Sequence, residues 1–277
     1  MPPPAAGPRM APAAPITSAA GPALFELPAP AQWQAVDFIS DLHLSDALPR
    51  TFDAFAQHLR HSSADAIIIL GDLFEAWVGD DMRSRDFEAA CVDVLAEAAT
   101  RRQLAVMVGN RDFLLGGAWL RACGAIGLPD PTVLVAWGQR VLLTHGDELC
   151  LSDTPYQTFR REVRSAAWQA QFLARPLAER LDIAAGMRRA SSERRRFDGA
   201  ADADIDTAET VRWMHQLGSA EMVHGHTHRP GSNVLAPGYK RHVLSDWDLD
   251  SGDRAEVLRL SRDGFERRAP TRAPLAG

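Results

Sequence analysis

Cysteine is scarce: Cys91, Cys123 and Cys150 are the only three. An odd, scattered set with no Cys-x-x-Cys pair excludes a disulfide framework and fits a reducing, cytosolic compartment. Cys150 lies close to a histidine, but no further feature marks it as a nucleophile. Lysine is scarcer still, since only Lys240 among the 30 basic residues is a lysine. The formal net charge of −6 argues against nucleic acid as a partner. No apolar run approaches the roughly 18–20 residues of a spanning helix. No internal repeat is visible. What remains is a chain of 277 residues, 46% hydrophobic, with ample material for one large core.

Half of the prolines fall within residues 1 to 31, together with much alanine and glycine. Such a segment cannot bury enough apolar surface to order itself, so it is expected to be a disordered tail. It lacks the basic start and unbroken apolar stretch of a signal peptide, and Met10 is a second candidate start. The pattern changes at Trp33. Strands are expected at 33–39, 66–70, 104–108, 132–136, 140–144, 221–223 and in three short stretches between 241 and 268. Helices are expected at 51–60 and 86–100. Ala66–Leu70 is a continuous apolar run, as a strand covered on both faces requires. Strands alternating with helices predict one α/β domain over 32–270. Residues 154–217 interrupt the rhythm with helical patterns alone and read as an insertion.

The chemistry lies in where the metal-competent residues fall. Asp41 and His43, Asp72, Asn110, His145, and His226 with His228 each follow an expected strand. Ligands of open α/β sheets bind outside the carboxyl ends of the strands, so five separate segments can meet at one place. Histidine, aspartate and asparagine together suit Mn²⁺, Fe²⁺ or Zn²⁺. Seven such donors exceed the needs of one ion and suit two, and a metal pair is a known device for hydrolysing phosphate esters and anhydrides. Each motif alone is weak, because Asp-x-His is common and a Gly-Asp after a strand is often a turn. Their ordered sequence is far more specific.

That order, Asp-x-His, Gly-Asp, Gly-Asn-Arg-Asp, His-Gly-Asp and Gly-His-Thr-His, resembles the calcineurin-like metallophosphoesterase superfamily over roughly residues 35–250. Longer stretches are similar to the UDP-2,3-diacylglucosamine pyrophosphatase family of lipid A biosynthesis. They are Ile-Ser-Asp-Leu-His-Leu (39–44), Leu-Gly-Asp-Leu-Phe-Glu-Ala-Trp-Val-Gly-Asp-Asp (70–81), Gly-Asn-Arg-Asp-Phe-Leu-Leu-Gly (109–116), His-Gly-Asp-Glu-Leu-Cys (145–150) and Val223–Pro230. Arg111 is telling, since many superfamily members carry histidine there.

The resemblance implies a four-layer αββα sandwich with a helical lid. It implies two Mn²⁺, one on Asp41, His43 and His228, the other on Asn110, His145 and His226, with Asp72 as the bridge and a catalytic residue. It implies cleavage of the UDP-2,3-diacylglucosamine pyrophosphate by attack on the α-phosphorus. The products would be UMP and 2,3-diacylglucosamine 1-phosphate, formed by a peripheral protein on the cytoplasmic face of the inner membrane. The alternative is another binuclear phosphodiesterase or phosphatase of the superfamily. Arg111 offers fixed positive charge for phosphate oxygens and is the second catalytic candidate. Asn110, Arg111, Asp153, Ser191, Arg195 and His226 are the expected substrate contacts. Arg195 stands where the family pattern has asparagine, and the lysine of that pattern is missing from Arg-Arg-Arg-Phe-Asp (194–198). Asp112 is expected to orient a neighbour or to cap a turn, and Asp147 and His224 to be structural or to support the ligands from behind. Residues 155–197 hold 10 Arg against 4 acidic residues, interleaved with Trp168, Phe172, Leu173, Leu177, Leu181, Ile183 and Met187. Such a segment is expected to roof a site for acyl chains or to lie on an anionic surface.

Overall fold

The computed structural model describes residues 22–198 and 203–272, and side chains outside 191–198. In chain order the strands are β1 (Glu26–Pro28), β2 (Ala35–Ile39), β3 (Ala66–Leu70), β4 (Gln103–Met107), β5 (Ile126–Leu128), β6 (Thr132–Ala136), β7 (Gln139–Thr144), β8 (Glu221–His224), β9 (Gly231–Ala236), β10 (Tyr239–Val243), β11 (Val257–Ser261) and β12 (Gly264–Arg268). The helices are α1 (Pro49–His61), α2 (Asp86–Ala99), α3 (Gly117–Cys123), α4 (Thr154–Val163), α5 (Ala166–Leu173), α6 (Leu177–Asp198) and α7 (Thr207–Gln216).

Two six-stranded mixed sheets result, in the orders β12-β11-β2-β3-β4-β5 and β1-β6-β7-β8-β10-β9. The apolar runs of β2 and β3 are buried along their whole length, as strands covered on both faces must be. Alternate residues of β3 serve two cores. Ile67 and Ile69 face α1 and α2, while Ile68 and Leu70 face the second sheet. The second sheet packs its far side on α7 through Trp213, Met214 and Met222. Helices, sheet, sheet and helix form the four expected layers, each interface burying apolar area at about 25 cal/mol per Å².

Two expectations are corrected here. The tail does not extend to residue 31, because Glu26–Pro28 pairs with β6 in parallel register. Pro28 is tolerated there because β1 is an edge strand. Residues 1–21 lie outside the described set. The insertion does not reach 217 either, because α7 is the outer layer of the second sheet. The inserted helices are α4 to α6. They pack Phe172, with Trp168, Leu177, Leu181 and Ile183, on the core beneath α1 to α3.

Candidate metal centre

The parallel strands β2, β3 and β4 point their carboxyl ends to one edge of the first sheet, and β7 and β8 do so in the second. The loop after each carries expected ligands. Backbone hydrogen bonds lace these loops together: Asp41 N–H donates to Gly71, His43 N–H to Asp72 and Gly225 N–H to His145. All seven candidate donors meet at that edge. His43 Nε2 and His228 Nε2 lie 3.3 Å apart. Asn110 Oδ1 is 3.0 Å from His145 Nε2 and 2.9 Å from His226 Nδ1. Asp72 stands between the two groups, 3.9 Å from His43 Nδ1 and 3.7 Å from His145 Nε2. Among the described residues, two groups of donors are tight enough to hold an ion, Asp41–His43–His228 and Asp41–Asp72–His145. Asp41 is thus shared as well, a role that the sequence gives to Asp72 alone.

The backbone is bent to present these side chains. Asp41, His43, Asp72, His226 and His228 all adopt φ between 49° and 64°. The left-handed region costs a side-chain-bearing residue about 1–2 kcal/mol, and such strain gathers at functional sites. Glycine makes room beside them. A Cβ on Gly109 would lie 2.1 Å from Asp72 Oδ1, and one on Gly225 would lie 2.3 Å from Asp41 Oδ2.

The electrostatics suit a cation. Burial would raise the Asp41 carboxyl, but His228, His145 and His43 outweigh it and hold it well below the usual carboxylate range. Burial pushes Asp72 up to about 7, helped by Asp112 and Asp41 against the pull of His145. Burial opposes charge on His145, yet Asp72, Asp147 and Asp41 raise it to about 9. Burial lowers His43 to about 3, with Arg111 adding to the effect, and burial with His145 lowers His226 to about 4. Of the site's histidines, His43 and His226 are thus held neutral, while Asp72 beside His145 and Asp41 beside His228 favour charge on those two. His43 Nδ1 is buried with no hydrogen-bond partner among the described residues. This donor set fits divalent ions of the borderline class.

Arg111 donates its backbone N–H to Asp72 Oδ1 at 2.9 Å, and its guanidinium binds Glu75 at 2.7 Å. Asp112 is the orienting residue that the sequence allowed for. Fully buried, it accepts the N–H groups of Leu73 at 2.8 Å and Gly109 at 2.7 Å, with Asp72 and Phe74 further out. It thereby fixes the loops of Asp72 and Asn110 together. Glu75, Asp80 and Asp81 were present in a quoted motif without a role. Glu75 pairs Arg111 and Arg188, Asp80 binds the start of α3, and Asp81 pairs Arg180 of the insertion. Tyr156, unmarked in the sequence, stacks on His226 with ring centres 6.1 Å apart. Asp153 caps α4, accepting Tyr156 N–H at 3.1 Å. The side chains of Ser191 and Arg195 lie outside the described set.

Residues 35–230 match the family model of calcineurin-like phosphoesterases. The chain belongs to that family. Among its relatives, the UDP-2,3-diacylglucosamine hydrolase of Xanthomonas campestris pv. campestris (strain B100) is 43% identical over 82% of this chain and 96% of its own. The protein of the same name from Stenotrophomonas maltophilia (strain R551-3) is 43% identical over 82% of this chain and 95% of its own. A solved archaeal phosphodiesterase overlaps 84% of this chain and 98% of its own, at 11% identity and a TM-score of 0.43. As a phosphoesterase, the chain has Asp and His candidates for its metal where the family motifs fall.

The insertion covers this edge of the phosphoesterase. Among the described residues, four of its arginines reach the rest of the chain: Arg160 to Asp147, Arg164 to the Gly109 carbonyl, Arg180 to Asp81 and Val78, and Arg188 to Glu75. Those four guanidiniums are therefore not free for an anionic surface. Leu173 and Met187 remain 43% and 38% exposed. No helix among the described residues is long and apolar enough to cross a membrane.

Proposed function

We propose that this phosphoesterase hydrolyses the pyrophosphate of UDP-2,3-diacylglucosamine, yielding UMP and 2,3-diacylglucosamine 1-phosphate. The observation that carries the reading is the convergence of Asp41, His43, Asp72, Asn110, His145, His226 and His228, in a chain 43% identical to hydrolases of that name. Asp41, His43 and His228 would hold one Mn²⁺, and Asn110, His145 and His226 the other, with Asp72 reaching both. A bound pair supplies Lewis-acid charge and a water acidified to near neutrality. The protein does the rest. The Arg111 backbone N–H holds the Asp72 carboxylate, Gly109 leaves it room, and Asp112 ties their loops together. Arg111, steered by Glu75, presents a planar fork to phosphate oxygens and gains strength as charge develops. Water adds to the α-phosphorus, the bridging P–O bond breaks, and the sugar phosphate leaves.

Asp153, Ser191 and Arg195 contact the glucosamine part in this reading. The helices α4 to α6 form a lid for the acyl chains, with Leu173 and Met187 on its exposed apolar side. An acylated substrate places the protein peripherally on the cytoplasmic face of the inner membrane. The test is hydrolysis with Mn²⁺ as the only added metal. Release of UMP from UDP-2,3-diacylglucosamine is expected, and Asp72→Ala is expected to retain less than about a tenth of the rate. Cleavage of bis-p-nitrophenyl phosphate with the nucleotide sugar left intact would instead indicate another phosphodiesterase of the family.

A further inference from the structure

Asp147 lies two residues beyond His145 and is fully buried, and its carboxylate is hydrogen-bonded by the insertion. Its Oδ2 accepts the hydroxyl of Tyr156 and the Nε–H of Arg160 at 2.9 Å, and Arg164 lies 3.7 Å away. Its carbonyl accepts Gln157 Nε2 at 2.7 Å. Residues 156, 160 and 164 recur every four positions, so they share one face of α4 and its final turn. That face touches every loop of one ligand group. Tyr156 stacks on His226 with an interplanar angle of 29°. Arg164 donates to the carbonyl of Gly109, next to Asn110, at 2.9 Å and lies 5.6 Å over the Phe113 ring. Asp147 itself continues the His145 loop.

We propose that Asp147 is a positioning residue that seats the helical insertion on the metal-ligand loops. A divalent cation at Asn110, His145 and His226 and the seated α4 then stabilise each other. The proposal rests on the metal reading above. Its physical basis is reciprocity: whatever fixes the three ligand loops fixes the surface on which α4 rests, and the converse holds equally. Removing Asp147 takes from the Arg160 guanidinium its buried partner and leaves it only the half-buried Glu148 at 2.9 Å, which disfavours the seated helix.

The experiment uses the full chain with Mn²⁺ alone as probe. Calorimetry gives the affinity, and hydrogen exchange over 154–163 reports the seating of α4. Mn²⁺ is expected to slow that exchange. Asp147→Asn and Tyr156→Phe are each expected to lose this protection and to weaken Mn²⁺ roughly tenfold. Tyr156→Phe keeps the ring and removes only the hydroxyl, so it tests the proposal even if Asp147→Asn fails to fold. Arg161→Ala, on the same helix, is expected to change neither quantity. Tight Mn²⁺ binding with exchange over 154–163 unaltered would overturn the coupling while leaving the metal reading intact. So would a Tyr156→Phe variant that binds and protects as wild type. Absence of Mn²⁺ binding by the wild type would sink the metal reading and this proposal with it.

Discussion

At the scale of single residues, the site depends on what its neighbours leave out. Gly109 has no side chain, and the Asp72 carboxylate occupies the space where a methyl group would stand. Gly109→Ala is therefore expected to displace Asp72, at about 1–3 kcal/mol of stability, and to weaken Mn²⁺ measurably. Urea denaturation and calorimetry check the two effects separately. The Gly-Asn and Gly-Asp pairs were visible in the sequence, and so were the seven donors. Asp112 was visible too, but its four backbone partners come from residues 72 to 74 and from Gly109. Three of those partners are distant in the chain, so no local pattern marks the role. Glu75 was hidden for the same reason, since its partners Arg111 and Arg188 are brought to it by folding.

At the scale of elements, those with a marked apolar run or helical spacing were legible and those without one were not. Ala66–Leu70 and Asp86–Ala99 match their expected spans within a residue. The helix α3 has seven residues, too few to show a period. Its first turn is capped from a distance: Gly116 offers no side chain, and Asp80 accepts Gly116 N–H at 2.8 Å and Trp119 N–H at 2.9 Å. Asp80→Ala is expected to cost about 1–2 kcal/mol, the usual range for losing a helix cap. The urea midpoint should fall with an unchanged slope. The strand β1 escaped notice because three residues ending in proline carry no alternation, and only the neighbouring β6 gives them a partner.

At the scale of the molecule, a second buried polar centre ties β11 to β2. Arg259 lies opposite Asp37 in register and binds it at 2.6 and 2.8 Å, and His58 Nε2 lies 3.4 Å from the same carboxylate. Burial would raise Asp37, but Arg259, His58 and Ser62 outweigh it and hold it well below the usual range. A depressed carboxylate stabilises the fold fully above its unfolded value of about 4 and loses that contribution as pH falls below it. The melting temperature is therefore expected to drop between pH 5 and pH 3. Arg259→Met should cost about 3–5 kcal/mol at pH 7, because it leaves the buried Asp37 carboxylate without its guanidinium, with only Ser62 and His58 beside it. It should also flatten part of the acid slope, and thermal melts of both proteins across that range check the pair of effects.

The sequence by itself determined the α/β class, the order of the main strands along the chain and the set of candidate donors. These follow from hydrophobic period and from residue types placed at strand ends, which are local properties. Tertiary structure decided where the insertion ends, which loops Asp112 and Asp147 hold, and how far the arginine excess is engaged. Arg160, Arg164 and Arg180 read as a basic face in one dimension, yet each meets a carboxylate or carbonyl. Charge counted along a chain carries no information about the partners that folding supplies, and a buried ion pair is a property of two distant segments at once.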